Sequence, residues 1–371
     1  MSLLRHLVPS PLPAIESAPG APLLEVRDLV THFRSERGLV RAVDGVSLSV
    51  RRGSVVGIVG ESGSGKTVLS RSIMGLLPRR DVVRGGEVVF DGRRLSDLPE
   101  GVMRRLRGLD IAMVFQDSLS SLNPVVKVGR QITEVLEYHK GLTTAAARGE
   151  ALSLLQAVQV PDPERRLGEY PHQLSGGMRQ RVAIAMALSC GPKLLLADEP
   201  TTALDVTVQA HVLDLLSRLQ RDRGMAMILV THDLGVVAGR TDEIVVMYAG
   251  RVVERAPTRV LFQHMQMPYT QALLRSVPRV DQPRHATFVT IGGRPPDLAN
   301  PPPGCRFAPR CERARARCRA EEPPLTAGAV PGHVFACWYP LGGGDPPADE
   351  RPDTTRPDTT RRVPDEPGVT V

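Results

Sequence analysis

A glycine-rich loop between an apolar run and a helical pattern constrains the fold of this chain more than any other feature. The loop fits the spacing G-x-x-x-x-G-K-[ST], and we call it the phosphate loop. Its residues are Gly60, Glu61, Ser62, Gly63, Ser64, Gly65, Lys66 and Thr67. The apolar run 55–59 precedes it, and Leu69 and Ile73 follow at helical spacing. Strand, glycine loop and helix in this order predict an α/β fold that binds a nucleotide phosphate.

The chemistry of this loop follows from its residue types. Glycines let the backbone curl so that several N–H groups point inward, and the next helix adds its positive N-terminal end. We expect Lys66 to reach the terminal phosphates and the Thr67 hydroxyl to ligate Mg²⁺. The alternative is a glycine turn that binds nothing, and the flanking strand and helix argue against it.

Two further apolar runs lead to polar residues that suit phosphate chemistry. The run 194–197 leads to Asp198 and Glu199, and the run 225–230 leads towards His232. Such runs predict strands buried on both faces, and ligands of open α/β sheets bind at the carboxyl ends of the strands. Asp198 is a candidate Mg²⁺ ligand, and Glu199 is placed to accept a proton from an attacking water. A lone histidine such as His232 is more often a surface or core residue.

Composition limits the class of protein and its compartment. No apolar run approaches the ~18 residues that a membrane-spanning helix needs, and no secretory signal is visible. Five cysteines in 371 residues are too few for a secreted disulfide scaffold. We therefore expect a cytoplasmic location. The net charge of +7 is concentrated in an arginine patch at 306–319 with no sequence sign of stacking aromatics, so we expect no nucleic-acid partner.

Changes in residue composition along the chain suggest four segments. Residues 1–22 are Pro- and Ala-rich and are predicted to be disordered. Residues 23–264 form the predicted nucleotide-binding domain, with a helical part at about 118–191. Residues 265–340, which we call the extension, are Pro-rich and irregular, and residues 341–371 are predicted to be a disordered tail.

The extension carries a cluster of thiols with the spacing C-x5-C, C-x6-C and C-x18-C. Its members are Cys305, Cys311, Cys318 and Cys337. In a cytoplasmic protein four clustered thiols indicate a metal site rather than disulfides. The spacing fits neither the paired zinc-ribbon pattern nor common iron–sulfur motifs, so iron–sulfur, zinc and no metal all stay open. No cysteine lies in a nucleotide motif, so we expect Cys305→Ser to spare ATP binding.

The octapeptide 174–181, LSGGMRQR, lies between the phosphate loop and Asp198 and resembles the signature of ABC-type ATPases. From about 23 to 264 the chain resembles an ABC transporter nucleotide-binding subunit. The resemblance implies a P-loop NTPase fold of the ABC type, with a mostly parallel sheet, flanking helices and a helical signature subdomain. It also implies ATP and Mg²⁺ as cofactors and a second, homologous ATPase subunit, in a heterodimer or homodimer.

The resemblance also assigns roles to residues that chemistry alone would not select. Gln116 matches a glutamine that contacts Mg²⁺ and the membrane subunit, and His232 matches a switch histidine that contacts the terminal phosphate. Phe33 lies where the family stacks an aromatic ring on adenine, although a plain core role is equally open. The signature residues that contact the opposite subunit's ATP correspond here to Ser175, Gly176 and Gly177. The residue of the loop that crosses between subunits corresponds to Asp205, which we also count among the ATP-contacting residues.

A closer resemblance is to the D-type ATPases of dipeptide and oligopeptide importers. It rests on the segments 115–124, 170–172 and 268–278 and reaches to about residue 340. It implies two permease subunits, an extracytoplasmic peptide-binding protein, a peripheral place on the cytoplasmic face of the membrane and a [4Fe-4S] cluster. Ser118 departs from the usual proline and Thr67 from the commoner serine.

Other functions stay open. The same ATPase subunit could power the import of nickel or another small solute. A soluble ABC ATPase acting on nucleic acid or ribosomes is disfavoured because no coiled coil separates Lys66 from Asp198 and only one signature is present. A non-catalytic binding module is disfavoured because Lys66, Asp198, Glu199 and His232 are all intact.

Overall fold

The computed structural model of this chain describes residues 20–78, 80–116, 121–202, 204–277 and 290–342. The ends predicted to be disordered, 1–22 and 341–371, lie almost entirely outside these residues, as do Ser118 and Pro278.

The regular elements alternate between strands and helices along most of the chain. The strands are β1 (Leu24–Ser35), β2 (Gly38–Val50), β3 (Val55–Val59), β4 (Val82–Phe90), β5 (Arg93–Arg94), β6 (Ile111–Val114), β7 (Leu194–Asp198), β8 (Ala226–Thr231), β9 (Glu243–Tyr248), β10 (Arg251–Pro257), β11 (Thr326–Ala327) and β12 (Val334–Phe335). The helices are α1 (Lys66–Ile73), α2 (Glu100–Leu109), α3 (Val128–Lys140), α4 (Thr144–Ala157), α5 (Pro163–Leu167), α6 (Gly176–Leu188), α7 (Val206–Arg223), α8 (Leu234–Val237), α9 (Thr258–His264), α10 (Pro268–Arg275) and α11 (Ala316–Ala320).

Two sheets organise the molecule. The larger has the order β11-β12-β10-β9-β3-β8-β7-β6, and its part from β9 to β6 is parallel. The smaller sheet is antiparallel with the order β2-β1-β4-β5. The three strands predicted from apolar runs are β3, β7 and β8, adjacent in the larger sheet, and the α/β fold class is confirmed.

Alternate residues of the parallel strands face two different cores. Val55 and Val59 of β3 pack with the helices that lie between β6 and β7, whereas Val56 and Ile58 pack with the antiparallel sheet. Residues of a strand point alternately to opposite faces, so a strand buried on both faces needs apolar residues throughout. The continuous apolar runs of the sequence have this cause.

The helix after the phosphate loop is shorter than the sequence pattern indicates. Leu76 and Leu77 continue the apolar spacing, but α1 ends at Ile73. Gly75 follows with φ +62°, a left-handed conformation that ends the helix, and Leu76 is exposed. The stop therefore comes from the glycine rather than from Pro78.

The extension adds to the edge of the larger sheet. Its strand β12 pairs antiparallel with β10, and β11 pairs with β12. Behind this edge the carboxylate of Glu254, which is fully buried, contacts His333 Nε2 at 2.8 Å and accepts a bond from the Met267 N–H at 3.2 Å. The extension is therefore joined to the nucleotide-binding domain by strand pairing and by buried polar contacts.

Within the described part of the chain, none of the helices has the length and hydrophobicity of a membrane-spanning segment.

Candidate functional site

The carboxyl ends of the parallel strands meet at one edge of the sheet, where the predicted polar residues gather. β3 leads directly into the phosphate loop, β7 ends at Asp198, and β8 ends one residue before His232. Contacts between side chains connect Lys66, Glu199 and His232, and a further bond joins Thr67 to Asp198. Residues that are far apart in sequence thus form one site.

Two glycines of the phosphate loop are required by close backbone contacts. A Cβ on Gly60 would lie 2.2 Å from the Met247 carbonyl oxygen, and one on Gly65 would lie 2.2 Å from the Ala42 carbonyl oxygen. Gly65 also has φ +102°, which side-chain-bearing residues rarely adopt, and it immediately precedes α1. The loop is therefore pressed against its neighbours, with the N-terminal end of α1 directed to the ligand side.

Lys66 is buried, and its ammonium group is bonded to the loop itself. Nζ donates to the carbonyl oxygens of Gly60 at 2.7 Å and Glu61 at 3.0 Å, and it lies 3.8 Å from Glu199 Oε1. Burial lowers the pKa of Lys66, and the charge of Glu199 opposes that shift. The ammonium group is held inside the loop by bonds that an incoming phosphate can replace.

Thr67 and Asp198 supply hard oxygen ligands side by side. The Thr67 hydroxyl donates to Asp198 Oδ1 at 3.2 Å, and burial raises the pKa of Asp198. Mg²⁺ favours one or two protein oxygens completed by phosphates and waters, so this pair fits the ion. Gln116, predicted as a third ligand, instead donates from Nε2 to Glu199 Oε2 at 3.1 Å.

Glu199 is the most connected side chain of the site. Besides Gln116, Oε2 accepts a bond from the Thr202 hydroxyl at 3.0 Å and lies 3.4 Å from His232 Nδ1. Its backbone has φ +45°, an unusual conformation for a residue other than glycine and one that clusters at functional sites. The carboxylate is thus fixed in orientation by three neighbours.

Glu199 and His232 shift one another's protonation in opposite directions. The hydrogen bond with His232 lowers the pKa of Glu199 despite partial burial. The same bond raises the pKa of His232. Glu199 is therefore ionised at neutral pH, which is the state that a proton acceptor needs.

The signature residues lie at the start of α6. Ser175 caps this helix, its Oγ accepting a bond from the Met178 N–H at 3.3 Å, and its side chain is exposed. A Cβ on Gly177 would lie 2.9 Å from Val208 Cγ1 on α7, the helix that Asp205 caps. Gly176 follows Ser175 in the first turn of α6 and is also exposed. The signature and Asp205 therefore adjoin one another at two helix N-termini.

Phe33 lies near the end of β1 in the antiparallel sheet. It is paired with Val40 of β2 and Val82 of β4, and its ring is half-buried. The structure places the Phe33 ring on the antiparallel sheet, and the described contacts do not join it to the phosphate loop.

The four cysteines of the extension line one cavity, which we call the thiol pocket. Aromatic residues complete its wall, among them Phe307, Trp338 and Tyr339. All four thiols are free. Burial raises the pKa of Cys311 to about 11 and that of Cys337 to about 12, with the neighbouring thiols adding to the shift. A pocket of protonated thiols has the donor atoms that soft metals prefer.

The donor set of the thiol pocket suits more than one kind of metal. Zinc and iron–sulfur clusters are both bound by cysteine thiolates, so the donor atoms do not choose between them. Within the described ranges, no group of three or more His, Cys, Asp or Glu side chains is placed to hold a metal ion.

The arginine patch of the extension is largely turned inward. Arg306, Arg310 and Arg315 are buried. The sequence indicated no aromatic platform beside the patch, and this was wrong, because Trp338 and Tyr339 lie against it. Their rings are covered, with Arg317 3.5 Å from the Trp338 centroid and Arg315 stacked likewise on Tyr339.

Three contacts at the site were not anticipated. Thr202 bonds to Glu199, and only its position three residues further along hinted at a role. The Glu61 carboxylate bonds to Arg310 of the extension, and the Glu61 N–H donates to the Tyr269 hydroxyl at 2.8 Å. Nothing in the local sequence around Arg310 indicates that it reaches the phosphate loop.

Comparison with known families places two matches along the chain. A family model described as ABC transporter matches residues 43–202. A second, described as Oligopeptide/dipeptide transporter, C-terminal region, matches residues 253–318.

Curated relatives match the chain over most of its length. A probable peptide ABC transporter ATP-binding protein of Sinorhizobium fredii is 51% identical over 85% of this chain and 94% of the relative. The oligopeptide transport ATP-binding protein OppD of Salmonella typhimurium is 49% identical over 87% of this chain and 95% of the relative. The dipeptide transport ATP-binding protein DppD of Escherichia coli is 49% identical over 86% and 97%, respectively.

Solved structures match part of the chain. A dimeric bacterial ABC transporter cassette has a TM-score of 0.57 and 30% identity, covering 64% of this chain and 99% of that chain. A dimeric ATP-binding cassette in a post-hydrolysis state, bound to ADP and Pi, has a TM-score of 0.57 and 29% identity, covering the same shares.

Proposed function

The chain belongs to the ABC transporter family, as an ATP-binding subunit of the oligopeptide/dipeptide type, and from this premise we propose that it powers peptide import. It hydrolyses ATP, and the free energy drives permease subunits that carry di- and oligopeptides across the cytoplasmic membrane. The relatives named for peptide, oligopeptide and dipeptide transport support the substrate class.

One observation carries the catalytic part of the proposal. An ionised Glu199, held by Gln116, Thr202 and His232, lies beside a buried Lys66 at the carboxyl edge of the sheet. A base, a phosphate-binding cation and a magnesium pair are thus assembled in one place, as hydrolysis of a phosphate anhydride requires.

The roles of the individual residues follow from their chemistry. The phosphate loop binds the phosphates through backbone N–H groups and Lys66, and Thr67 and Asp198 hold Mg²⁺, with Gln116 able to join them. Mg²⁺ would neutralise phosphate charge when bound. Glu199 accepts the proton of the attacking water, and His232 orients Glu199 and contacts the terminal phosphate. Phe33 is proposed to stack on the adenine ring.

A second ATPase subunit completes each site. We assign Ser175, Gly176, Gly177 and Asp205 to the facing subunit's ATP because they lie at helix N-termini, where N–H groups favour phosphate, and all but the half-buried Gly177 are exposed. The matched cassettes are dimeric. The partner is either a homologous subunit or a second copy of this chain.

The permease subunits are proposed to dock beside Gln116. Phe115 and Val125, on either side of the 117–120 segment, are exposed large apolar residues. Exposed apolar side chains of this kind suit a protein interface. The chain would then lie peripherally on the cytoplasmic face of the membrane, served by an extracytoplasmic peptide-binding protein.

The thiol pocket is proposed to hold an iron–sulfur cluster of the [4Fe-4S] type, with zinc as the alternative. Cys305, Cys311, Cys318 and Cys337 would be the ligands. The support is the thiol donor set and the shared cavity. A cluster bound here would supply order to a Pro-rich segment with little regular structure.

Uptake of labelled di- and oligopeptides by a deletion strain tests the function. Return of uptake with the wild-type chain, and no return with Glu199→Gln, is the expected result. Normal peptide uptake in the deletion strain with loss of nickel uptake would favour the small-solute alternative instead.

A further inference from the structure

We propose that Arg310 is a positioning residue for nucleotide binding, acting on the phosphate loop through the carboxylate of Glu61. It holds Glu61 in place and cancels the negative charge of that side chain in the loop that receives the phosphates. The proposal rests on the ATP site proposed above, and it does not depend on which solute is transported.

The contact between Arg310 and Glu61 has the geometry of a strong ion pair. Nη1 lies 2.6 Å from Glu61 Oε2, and Nη2 lies 2.9 Å from Oε1, so both oxygens are paired. The Arg310 side chain is only 3% exposed. The Glu61 side chain is half-buried, and a bidentate, charge-assisted pair with one buried partner is stronger than a surface ion pair and fixes the orientation of both groups.

The backbone of Glu61 is held by the same region of the molecule. Its N–H donates to the hydroxyl of the fully buried Tyr269, and its carbonyl oxygen accepts a bond from Lys66 Nζ at 3.0 Å. A chain of contacts thus runs from Arg310 through Glu61 to Lys66. A shift of Glu61 would therefore displace the acceptor of the phosphate-binding lysine.

Arg310 is itself fixed before any nucleotide arrives. Nε donates to the Gly292 carbonyl at 2.9 Å, Nη2 to the Ile291 carbonyl at 3.1 Å, and Nη1 to the Tyr248 hydroxyl at 3.3 Å. With its guanidinium orientation fixed, Arg310 presents a preorganised charge to the loop.

Charge gives Arg310 a second effect. Without it, the Glu61 carboxylate would be an unpaired negative charge in a loop built to bind negative phosphates. Like charges at a shielded site repel more strongly than in water. Loss of Arg310 should therefore weaken ATP binding both by loosening the loop and by leaving this charge uncancelled.

The position of Arg310 also connects the loop to the thiol pocket. Arg310 ends a 3₁₀ turn, residues 308–310, that lies between Cys305 and Cys311. Phe307 and Ala308, next to and within that turn, line the thiol pocket with the cysteines. Order at the thiol pocket should therefore affect the phosphate loop through this turn.

Steady-state ATP hydrolysis by the purified transporter tests the proposal. For Arg310→Gln we expect the KM for ATP to rise about tenfold, the size typical of a lost charge-assisted pair, with kcat within about twofold. The matched control is Arg27→Gln on the antiparallel sheet, which also pairs with both carboxylate oxygens of a glutamate, Glu25. Its KM should equal that of the wild type.

A second substitution separates positioning from a merely structural role. Adding Glu61→Gln to Arg310→Gln removes the uncancelled charge, so the KM should fall back to within about threefold of wild type. An ion pair that only fastens the extension to the domain predicts no such recovery. Wild-type KM in Arg310→Gln, or a raised KM that Glu61→Gln fails to relieve, would overturn the proposal.

A measurement on the unmodified protein covers the case in which Arg310→Gln does not fold. If the 305–311 segment supports ATP binding, ATP must in turn stabilise that segment. Hydrogen exchange of 305–311 should therefore slow when a non-hydrolysable ATP analogue is added. Unchanged exchange in wild-type protein that demonstrably binds the analogue refutes the coupling, whereas failure to bind any analogue would refute the ATP site instead.

Discussion

The phosphate loop and the extension are both rich in turn-forming residues, yet they are ordered by different means. The loop is fixed between β3 and α1, two elements buried in the central cores. The described part of the extension from residue 290 has only two-residue strands, one 3₁₀ turn and one five-residue helix. Besides packing Phe307 into a central core, it is held by polar groups that reach into the domain, such as Arg306 at the Ala249 carbonyl and His333 at Glu254.

Because of this difference, polar side chains serve catalysis in one region and hold the structure together in the other. In the nucleotide-binding domain the hydrophobic core fixes the backbone, so polar side chains such as Glu199 are free to serve catalysis. In the extension, polar side chains such as Arg306 and His333 themselves fix the segment to the domain. A polar substitution should therefore abolish turnover in the first region and loosen structure in the second.

The largest effect is expected from Glu199→Gln, which keeps the shape of the side chain and removes the base. Turnover should fall about 10²-fold or more while ATP binding is preserved. Glu243→Gln is the control, because this carboxylate lies at the start of β9, at the opposite end of the parallel strands from the site. Steady-state hydrolysis is the measurement, and near-normal turnover in Glu199→Gln would remove the assignment of the base.

Ser175→Arg should block closure of the ATPase pair with little effect on ATP binding by the single subunit. The side chain is exposed at the start of α6, so the change adds bulk and charge without disturbing a core. Light scattering of ATP-driven dimerisation, in a hydrolysis-deficient background, measures the result. The control is Ser153→Arg, the same substitution on the exposed face of α4. Equal ATP-driven dimerisation by the two variants would contradict the interface role of Ser175.

The difference between the nucleotide-binding domain and the extension also decides how far each can be predicted from the sequence. Continuous apolar runs and glycine loops are local patterns, so β3, β7, β8 and the residues after them could be located from sequence. Contacts such as Arg310–Glu61 join positions 249 residues apart and leave no local pattern. The position of Gln116 against Glu199 likewise depends on how strand ends meet rather than on any spacing.

Cys305→Ser tests whether order in the extension matters to the loop. The sequence suggested that this change would spare ATP binding, and the Arg310–Glu61 pair gives a reason to revise that expectation. We now expect a loosened extension and a severalfold rise in the KM for ATP, smaller than for Arg310→Gln because the arginine remains. Cys190→Ser, a half-buried thiol outside the pocket, is the control.

The metal content of the same preparations sharpens the result. Anaerobically purified wild type should be brown and contain iron and sulfide, and Cys305→Ser should lose much of both. Zinc at about one per chain would replace the cluster with a zinc site. Absence of metal, with all four thiols alkylated in the native protein, would end both metal assignments.

The smallest expected effect lies within the catalytic group and concerns protonation alone. The pKa of His232 is raised above its ordinary value of 6.5 by the Glu199 carboxylate, and that of Glu199 is lowered below 4.5. The stabilisation due to His232 is complete below its unfolded pKa and is lost as pH rises through the raised value. The stabilisation due to Glu199 is lost as pH falls through its lowered value. The pair therefore contributes fully to the free energy of unfolding only between pH 4.5 and 6.5.

Glu199→Gln should therefore return the pKa of His232 towards 6.5, because the amide cannot stabilise the imidazolium as the carboxylate does. Titration of the His232 ring by NMR in the nucleotide-free chain measures this directly, with Glu243→Gln as the unaffected control. In urea unfolding, the stability difference between wild type and Glu199→Gln should be larger at about pH 5.5 than at about pH 8.5. An unchanged His232 titration would mean that the two side chains are not paired in solution. Glu199 would then lose one of the three contacts that orient its carboxylate, while the extension and its hold on the phosphate loop would be unaffected.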